Sequence, residues 1–316
     1  LGAIERAGLK GWDGAPYRPA GALLPLGTGN DLARVLGWGK GVRLDALRRR
    51  LASLDCTRVA MLDRWRLKGS LPEGKSSVLM CNYLSIGVDA KAALLWARLA
   101  VRLPWAFRLR LLNKLWYIIC GSPEFALHSY RDLHERMEVT CDGKVIEIPK
   151  GIEGLMILNT PSYGGGSDLW DEARGAPLAA RTDRFRTPPL RPSSMSDGVL
   201  ELVGVTDVVH LAFSLGGLSN GVRLCQGSSF SVRSTGGVPL QIDGEPCNLT
   251  PAGPDGSEPF EFAISREDQV YVLGRSADTP VGGGVTAFAA VEGQLAKKAI
   301  STSQRDELLR TLGGGA

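Results

Sequence analysis

The chain has 316 residues, is 44% hydrophobic and carries a formal net charge of +4. That length fits two domains and can bury about three quarters of its unfolded surface. Six cysteines with no CxxC pair argue against a zinc site or a dense disulfide framework and fit reduced thiols in a cytosolic protein. No uncharged apolar run reaches the roughly 18 residues of a membrane span.

Leu1 to Leu9 reads as the end of a helix that begins upstream, so the chain is expected to be a piece of a longer protein. A loop over 11–19 follows, rich in glycine and proline. The spacing then predicts a buried strand over 22–26, a Gly27-Thr28-Gly29 turn and a helix over 31–37. Next come a basic helix over 44–54 and an alternating strand over 59–67 that carries Asp63 and Trp65. These elements make an α/β layered domain, 1–66. A cluster of Gly69, Pro72, Glu73 and Gly74 marks a linker near 67–77.

Beyond it the texture changes. Short apolar or alternating runs at 78–87, 136–141, 144–148, 154–160, 199–206, 228–233, 238–242, 260–264 and 269–273 predict an antiparallel, β-rich second domain, 77–275. Helices are expected as insertions over 89–119 and 207–223. Asp171 to Ser194 holds five arginines and four prolines and reads as an exposed insertion. The tail 276–316 carries a helix over about 286–312. The charge is uneven: Lys91, Arg98, Arg102, Arg108, Arg110 and Lys114 form one block without an acid. This pattern suits contact with one anionic surface better than general nucleic-acid binding. Leucines and tryptophans interleave the block, as in a helix pair lying at a membrane interface or an ordinary amphipathic helix packed on the sheet.

Two stretches have the grammar of a site. In the first, Gly27 and Gly29 let the backbone approach a ligand and Thr28 adds a hydroxyl. The helix start beyond favours an anion, while Asn30 and Asp31 either support that turn or simply cap the helix. In the second, Asp243 ends an apolar run and is followed by Gly244 and Glu245. It is either a carboxylate exposed to a cleft or an Asp-Gly hairpin turn.

The residues from Gly27 to Arg34, Gly-Thr-Gly-Asn-Asp-Leu-Ala-Arg, resemble the signature of the diacylglycerol kinase catalytic domain. Met61-Leu62-Asp63-Arg64-Trp65, Asn82 to Ala90 and Asn113 to Tyr117 resemble the eukaryotic form of this family. So do Asn159 to Gly166, Ser196 to Glu201 and Gln241 to Pro246, all in the family's order over roughly residues 1–275. The resemblance implies an incomplete Rossmann-like, phosphofructokinase-like α/β domain, a larger β-sandwich domain and an active site in the cleft between them. It also implies an upstream Gly-Gly-Asp-Gly-Thr loop that completes the nucleotide cradle.

Its functional implications are a kinase that phosphorylates the free hydroxyl of diacylglycerol from ATP and Mg2+ to give phosphatidic acid. Such an enzyme is cytoplasmic and peripheral at membranes, with a lipid surface as partner. By the same resemblance Gly27, Thr28, Gly29, Asn30 and Asp31 hold nucleotide phosphate, Asp243 is the base, and Asp63 orients and tunes it. Two carboxylates close together raise one pKa and can share a proton. Asn159, Tyr163, Gly164, Gly165 and Glu245 fall along the substrate cleft, and Asp197 is either a ligand of a structural magnesium or part of a turn. Cys247 stands where eukaryotic members carry tryptophan. A sphingoid-base or ceramide kinase of the same superfamily, or an inactive lipid-binding fragment, are the alternatives.

Overall fold

The computed structural model describes residues 19–27, 29–41, 57–102, 130–170, 190–215, 219–250 and 258–275. Thr28, the basic helix at 44–54, the second half of the basic block, the motif 113–117, most of the arginine-rich insertion and the tail helix lie outside the described residues. The chain is α/β in class and divides into two units: Leu1–Leu62 with Val270–Ala316, and Asp63–Gln269. Both boundaries fall inside strands, β1 (Arg58–Gly69) and β12 (Phe260–Gly274).

In the first unit, the run 22–26 is not a strand. Pairing there is confined to Gly21, which forms a parallel bridge with Val272, donating its N–H to the Tyr271 carbonyl and accepting from Leu273. Pro25 lacks the N–H a ladder needs, and Leu26 turns back on Leu24. Helix α1 spans Asp31–Val35. The loop after it is pinned by the Trp38 indole N–H on the Leu273 carbonyl (2.6 Å), with the Arg275 guanidinium over the Trp38 ring.

The second unit is a sandwich of two six-stranded sheets. Its further strands are β2 (Ser77–Met80), β3 (Tyr83–Gly87), β4 (Met137–Cys141), β5 (Lys144–Ile146), β6 (Gly154–Leu158), β7 (Leu200–Val205), β8 (Val222–Gly227), β9 (Ser229–Ser234), β10 (Val238–Ile242) and β11 (Glu245–Leu249). One sheet runs β2-β1-β12-β9-β4-β5 and the other β11-β10-β3-β6-β7-β8. Helices α2 (Val88–Arg102), α3 (Leu133–Arg136) and α4 (Val208–Leu215) complete the unit.

Between the sheets lies the main core. Trp65, Met80, Val139, Val232, Phe260 and Phe262 face Leu84, Ile86, Leu155, Ile157, Leu202 and Leu240. The second sheet is covered on its other face as well: Tyr83, Met156, Leu158, Val203 and Val205 form a second cluster with Val88 of α2 and Leu211 of α4. Hence β3, β6 and β7 are buried at every residue, so their sequences do not alternate between apolar and exposed polar residues, and their polar members Ser85 and Glu201 are buried as well. At the β3–α2 junction Gly87 has φ +91°, and a Cβ there would lie 2.3 Å from the Glu153 carbonyl oxygen. No other residue turns this corner without strain.

Four further sequence expectations change. The run 78–87 is two strands in different sheets, broken at Cys81-Asn82. The helix expected over 207–223 ends at Leu215, and Val222, Leu224 and Gly227 instead face inward from β8. The segments 260–264 and 269–273 are one continuous strand, its middle carried by ion pairs rather than apolar contacts. The stretch 67–77 is the tight connection from β1 to its antiparallel neighbour β2, through a single 3-10 turn at Pro72–Gly74. Among the described residues no helix is long and apolar enough to cross a membrane.

Candidate active site

Asp243 and Gly244 are the two-residue turn of the β10–β11 hairpin, with φ 49° and 92° and Ile242 paired to Glu245. Both left-handed conformations are what a tight turn matched to the twist of the strands requires. The hairpin reading is therefore correct as local structure, but it does not account for the side chain. The half-buried Asp243 carboxylate accepts the backbone N–H groups of Cys81 (2.8 Å), Asn82 (2.7 Å) and Tyr83 (3.1 Å), and its own N–H donates to the Tyr83 carbonyl (2.9 Å). These donors are spent on Asp243, so the strand cannot run on, and the chain passes from one sheet to the other at this point. Burial pushes the carboxyl of Asp243 above its ordinary pKa, against the pull of those N–H groups. The neighbouring Cys81 thiol is pushed up to about 12, chiefly by burial and then by the Asp243 charge, so it is no nucleophile.

Asn159, fully buried, ties this crossover to β1. Its amide nitrogen donates to the carbonyls of Cys81 (2.6 Å) and Asp63 (2.9 Å), and its amide oxygen accepts the Trp65 indole N–H (2.7 Å). Its backbone N–H adds a bond to the Asn82 carbonyl (2.8 Å). Asn159, expected among the contact residues, thus has its side chain turned inward with its amide oxygen and nitrogen both bonded within the protein.

Asp63 is also fully buried. What its carboxylate meets directly is the half-exposed Arg266, whose Nη2 lies 2.6 Å and Nε 2.8 Å from Oδ1, and the Gly198 N–H, 2.7 Å from Oδ2. Its N–H donates to the Met195 carbonyl (2.8 Å), so Asp63 holds the Ser196-Asp197-Gly198 turn from two sides. The link from Asp63 to Asp243 runs through Asn159 and Cys81. Arg266 went unnoticed in the sequence because it lies in the polar run 265–269, which interrupts the apolar pattern of β12.

Tyr163 is likewise buried, its ring packed at a 50° tilt against that of Tyr83 and its hydroxyl donating to Asp89, which also accepts the Ser85 hydroxyl (2.6 Å). It is part of the second core cluster. The glycines that follow, Gly164 to Gly166, close a loop at positive φ between Tyr163 and Ser167; Gly164 and Glu245 are exposed. Asp197 is exposed and its Oδ1 accepts the Val199 N–H (3.1 Å), the mark of a local turn.

Among the described residues no group of three or more His, Cys, Asp or Glu side chains could hold a metal ion. A single carboxylate of this kind suits a magnesium ligated mostly by backbone carbonyls and water. Four residues beyond Asp197, Glu201 is fully buried between Gln226 and Ser193, and burial pushes its carboxyl up to about 8.

In the first unit, Asn30 takes a left-handed conformation at the start of α1 and makes no side-chain cap. Its amide donates backwards to the Gly27 carbonyl (2.7 Å) and onward to Lys40 (3.0 Å), while Arg34 Nε reaches the Gly29 carbonyl (2.8 Å). The turn is thus braced by the side chains that follow it, and Asp31 is buried at the first helical position.

A profile of the diacylglycerol kinase accessory domain matches residues 79–246. Diacylglycerol kinase 1 of Arabidopsis thaliana is 33% identical over 302 residues, which cover 93% of this chain and 39% of that protein. Human diacylglycerol kinase theta is 38% identical over 258 residues, 78% of this chain and 26% of that protein. The chain thus spans less than half the length of these relatives. A crystal structure of a diacylglycerol kinase from Bacillus anthracis is 17% identical, with a TM-score of 0.45, over 82% of this chain and 70% of that one.

Proposed function

Since the chain belongs to the diacylglycerol kinase family, we propose that the protein it comes from transfers the γ-phosphoryl group of ATP to the free hydroxyl of diacylglycerol. Asp243 accepts the hydroxyl proton as the oxygen bonds to phosphorus and the bond to ADP breaks. The observation that carries this assignment is a half-buried carboxylate fixed by three backbone N–H groups, with burial raising its basicity. Fixed position and a raised pKa are what a general base for an alcohol needs. Asp63 and Asn159 act as positioning residues, because they set the place of the 81–83 backbone that grips Asp243. Gly27, Thr28 and Gly29 are assigned to the nucleotide phosphates, with Asn30 bracing their turn.

Magnesium bound with the nucleotide would neutralise charge on the transferring group, and Asp197 is the residue proposed for a structural magnesium. The test is to incubate the full-length protein with diacylglycerol, ceramide and sphingosine together and radiolabelled ATP. Label in phosphatidic acid alone is the expected result. Label in a sphingolipid, or in no lipid, overturns the reading.

A further inference from the structure

Helix α4 contains no charged residue, and its two polar side chains are used internally. His210 bonds the Asn220 carbonyl and Thr206, and the Ser214 hydroxyl donates to the His210 carbonyl. Leu211 and Ser214 face the protein, which leaves Val209 (39% exposed) and Phe213 (51% exposed) on the outer side with Ala212. A helix that is apolar on both sides is unusual at a protein surface.

Beside it, and in contact with it, α2 packs Val88, Ala90, Ala92 and Ala93 inward. At its far end it exposes Arg98, Val101 (83% exposed) and Arg102, which share one face at i, i+3 and i+4. The sole acid on α2, Asp89, is buried on Ser85 and Tyr163. The exposed side chains named on these two touching helices are therefore apolar or cationic, and neither helix has an exposed acid to oppose an anion.

We propose that this α2–α4 face docks the protein on an anionic lipid bilayer. Phe213 and Val101 enter the boundary between headgroups and acyl chains, and Arg98 and Arg102 meet lipid phosphates. The commitment to lipid rather than to a protein partner follows from the charge complementarity. It also rests on the kinase reading, whose product is itself an anionic lipid.

The experiment is co-sedimentation of the full-length protein with phosphatidylcholine vesicles containing or lacking phosphatidic acid, alongside kinase assays on dispersed short-chain diacylglycerol. Arg98→Gln with Arg102→Gln weakens binding to the anionic vesicles by about fivefold per arginine, and added salt erases the difference. Phe213→Ser weakens it by roughly fivefold, and the short-chain activity of both variants matches that of the unaltered protein. Val145→Ser, on the other sheet and 66% exposed, leaves binding unchanged. Undiminished vesicle binding in the arginine and phenylalanine variants, as when the face serves a protein partner, overturns the proposal. So does an equal loss in Val145→Ser. Loss of binding confined to the helix-face variants in a protein that phosphorylates no lipid upholds the docking face while the kinase reading falls.

Discussion

Asp243 sits at φ 49°, a conformation asparagine shares with little strain, so Asp243→Asn leaves the hairpin turn in place. In the full-length protein this variant is expected to lose at least about a hundredfold in turnover, the contribution of a positioned base. Asp243→Ala removes the turn preference and the acceptor together, leaving three N–H groups without their partner. It should be less stable than Asp243→Asn by about 2 kcal/mol. Urea unfolding of both variants next to steady-state rates separates the two roles; near-normal turnover in Asp243→Asn removes the base assignment.

Asn159→Asp probes the residue that joins Asp63 to the crossover. A carboxylate still accepts from Trp65 but offers no N–H to the two carbonyls it faces. The variant is expected to lose on the order of 3 kcal/mol of stability, as two buried acceptors and a buried charge go unmet. The motif around Asn159 was legible in the sequence, but its inward orientation was not, since the partners lie 78 and 96 positions away.

At the level of elements, β1 and β12 are joined by three ion pairs: Asp63 with Arg266, Arg64 with Asp268 and Arg66 with Glu267. Their environments differ, and so should their weights. Arg266→Met strips the paired cation from a fully buried carboxylate, a change that costs toward the low end of roughly 3–5 kcal/mol because the arginine itself is half-exposed. Arg66→Met breaks a pair open to water and should leave the denaturation midpoint unmoved. Equal losses in the two variants contradict this ranking. The same strands explain why β12 read as two: ion pairs leave no apolar alternation, and only the apolar ends of the strand carried the signal. The strand β8 was missed for a related reason, since a helix-like apolar run leads straight toward it.

For the molecule as a whole, the buried carboxyls set how stability varies with pH. Glu201 stays protonated up to about 8 when folded but ionises near 4.5 when unfolded. Between these values the folded state holds the extra proton, so stability falls as pH rises, by about 1.4 kcal/mol per unit while only this group titrates. Above about 8 its contribution is flat. Asp243, raised by the same burial, acts in the same direction. Glu201→Gln keeps the contacts with Gln226 and Ser193 and should flatten the slope, as read from urea midpoints between pH 5 and 8. A slope that persists unchanged places the proton elsewhere.

The linear order of residues determined the family, through motifs spread from Gly27 to Pro246, and the elements whose signals are local: the Asp-Gly turn, the short helix after Asn30 and the apolar strands of the second sheet. Tertiary structure decided which groups meet: that Asp63 takes Arg266, that Asn159 and Tyr163 turn inward, and that the run 78–87 splits between two sheets at the grip of Asp243. The physical reason is range. Periodicity and propensity act over a few neighbouring residues. A buried polar group, by contrast, is satisfied by whatever partner folding brings to it, here from 74 to 203 positions away.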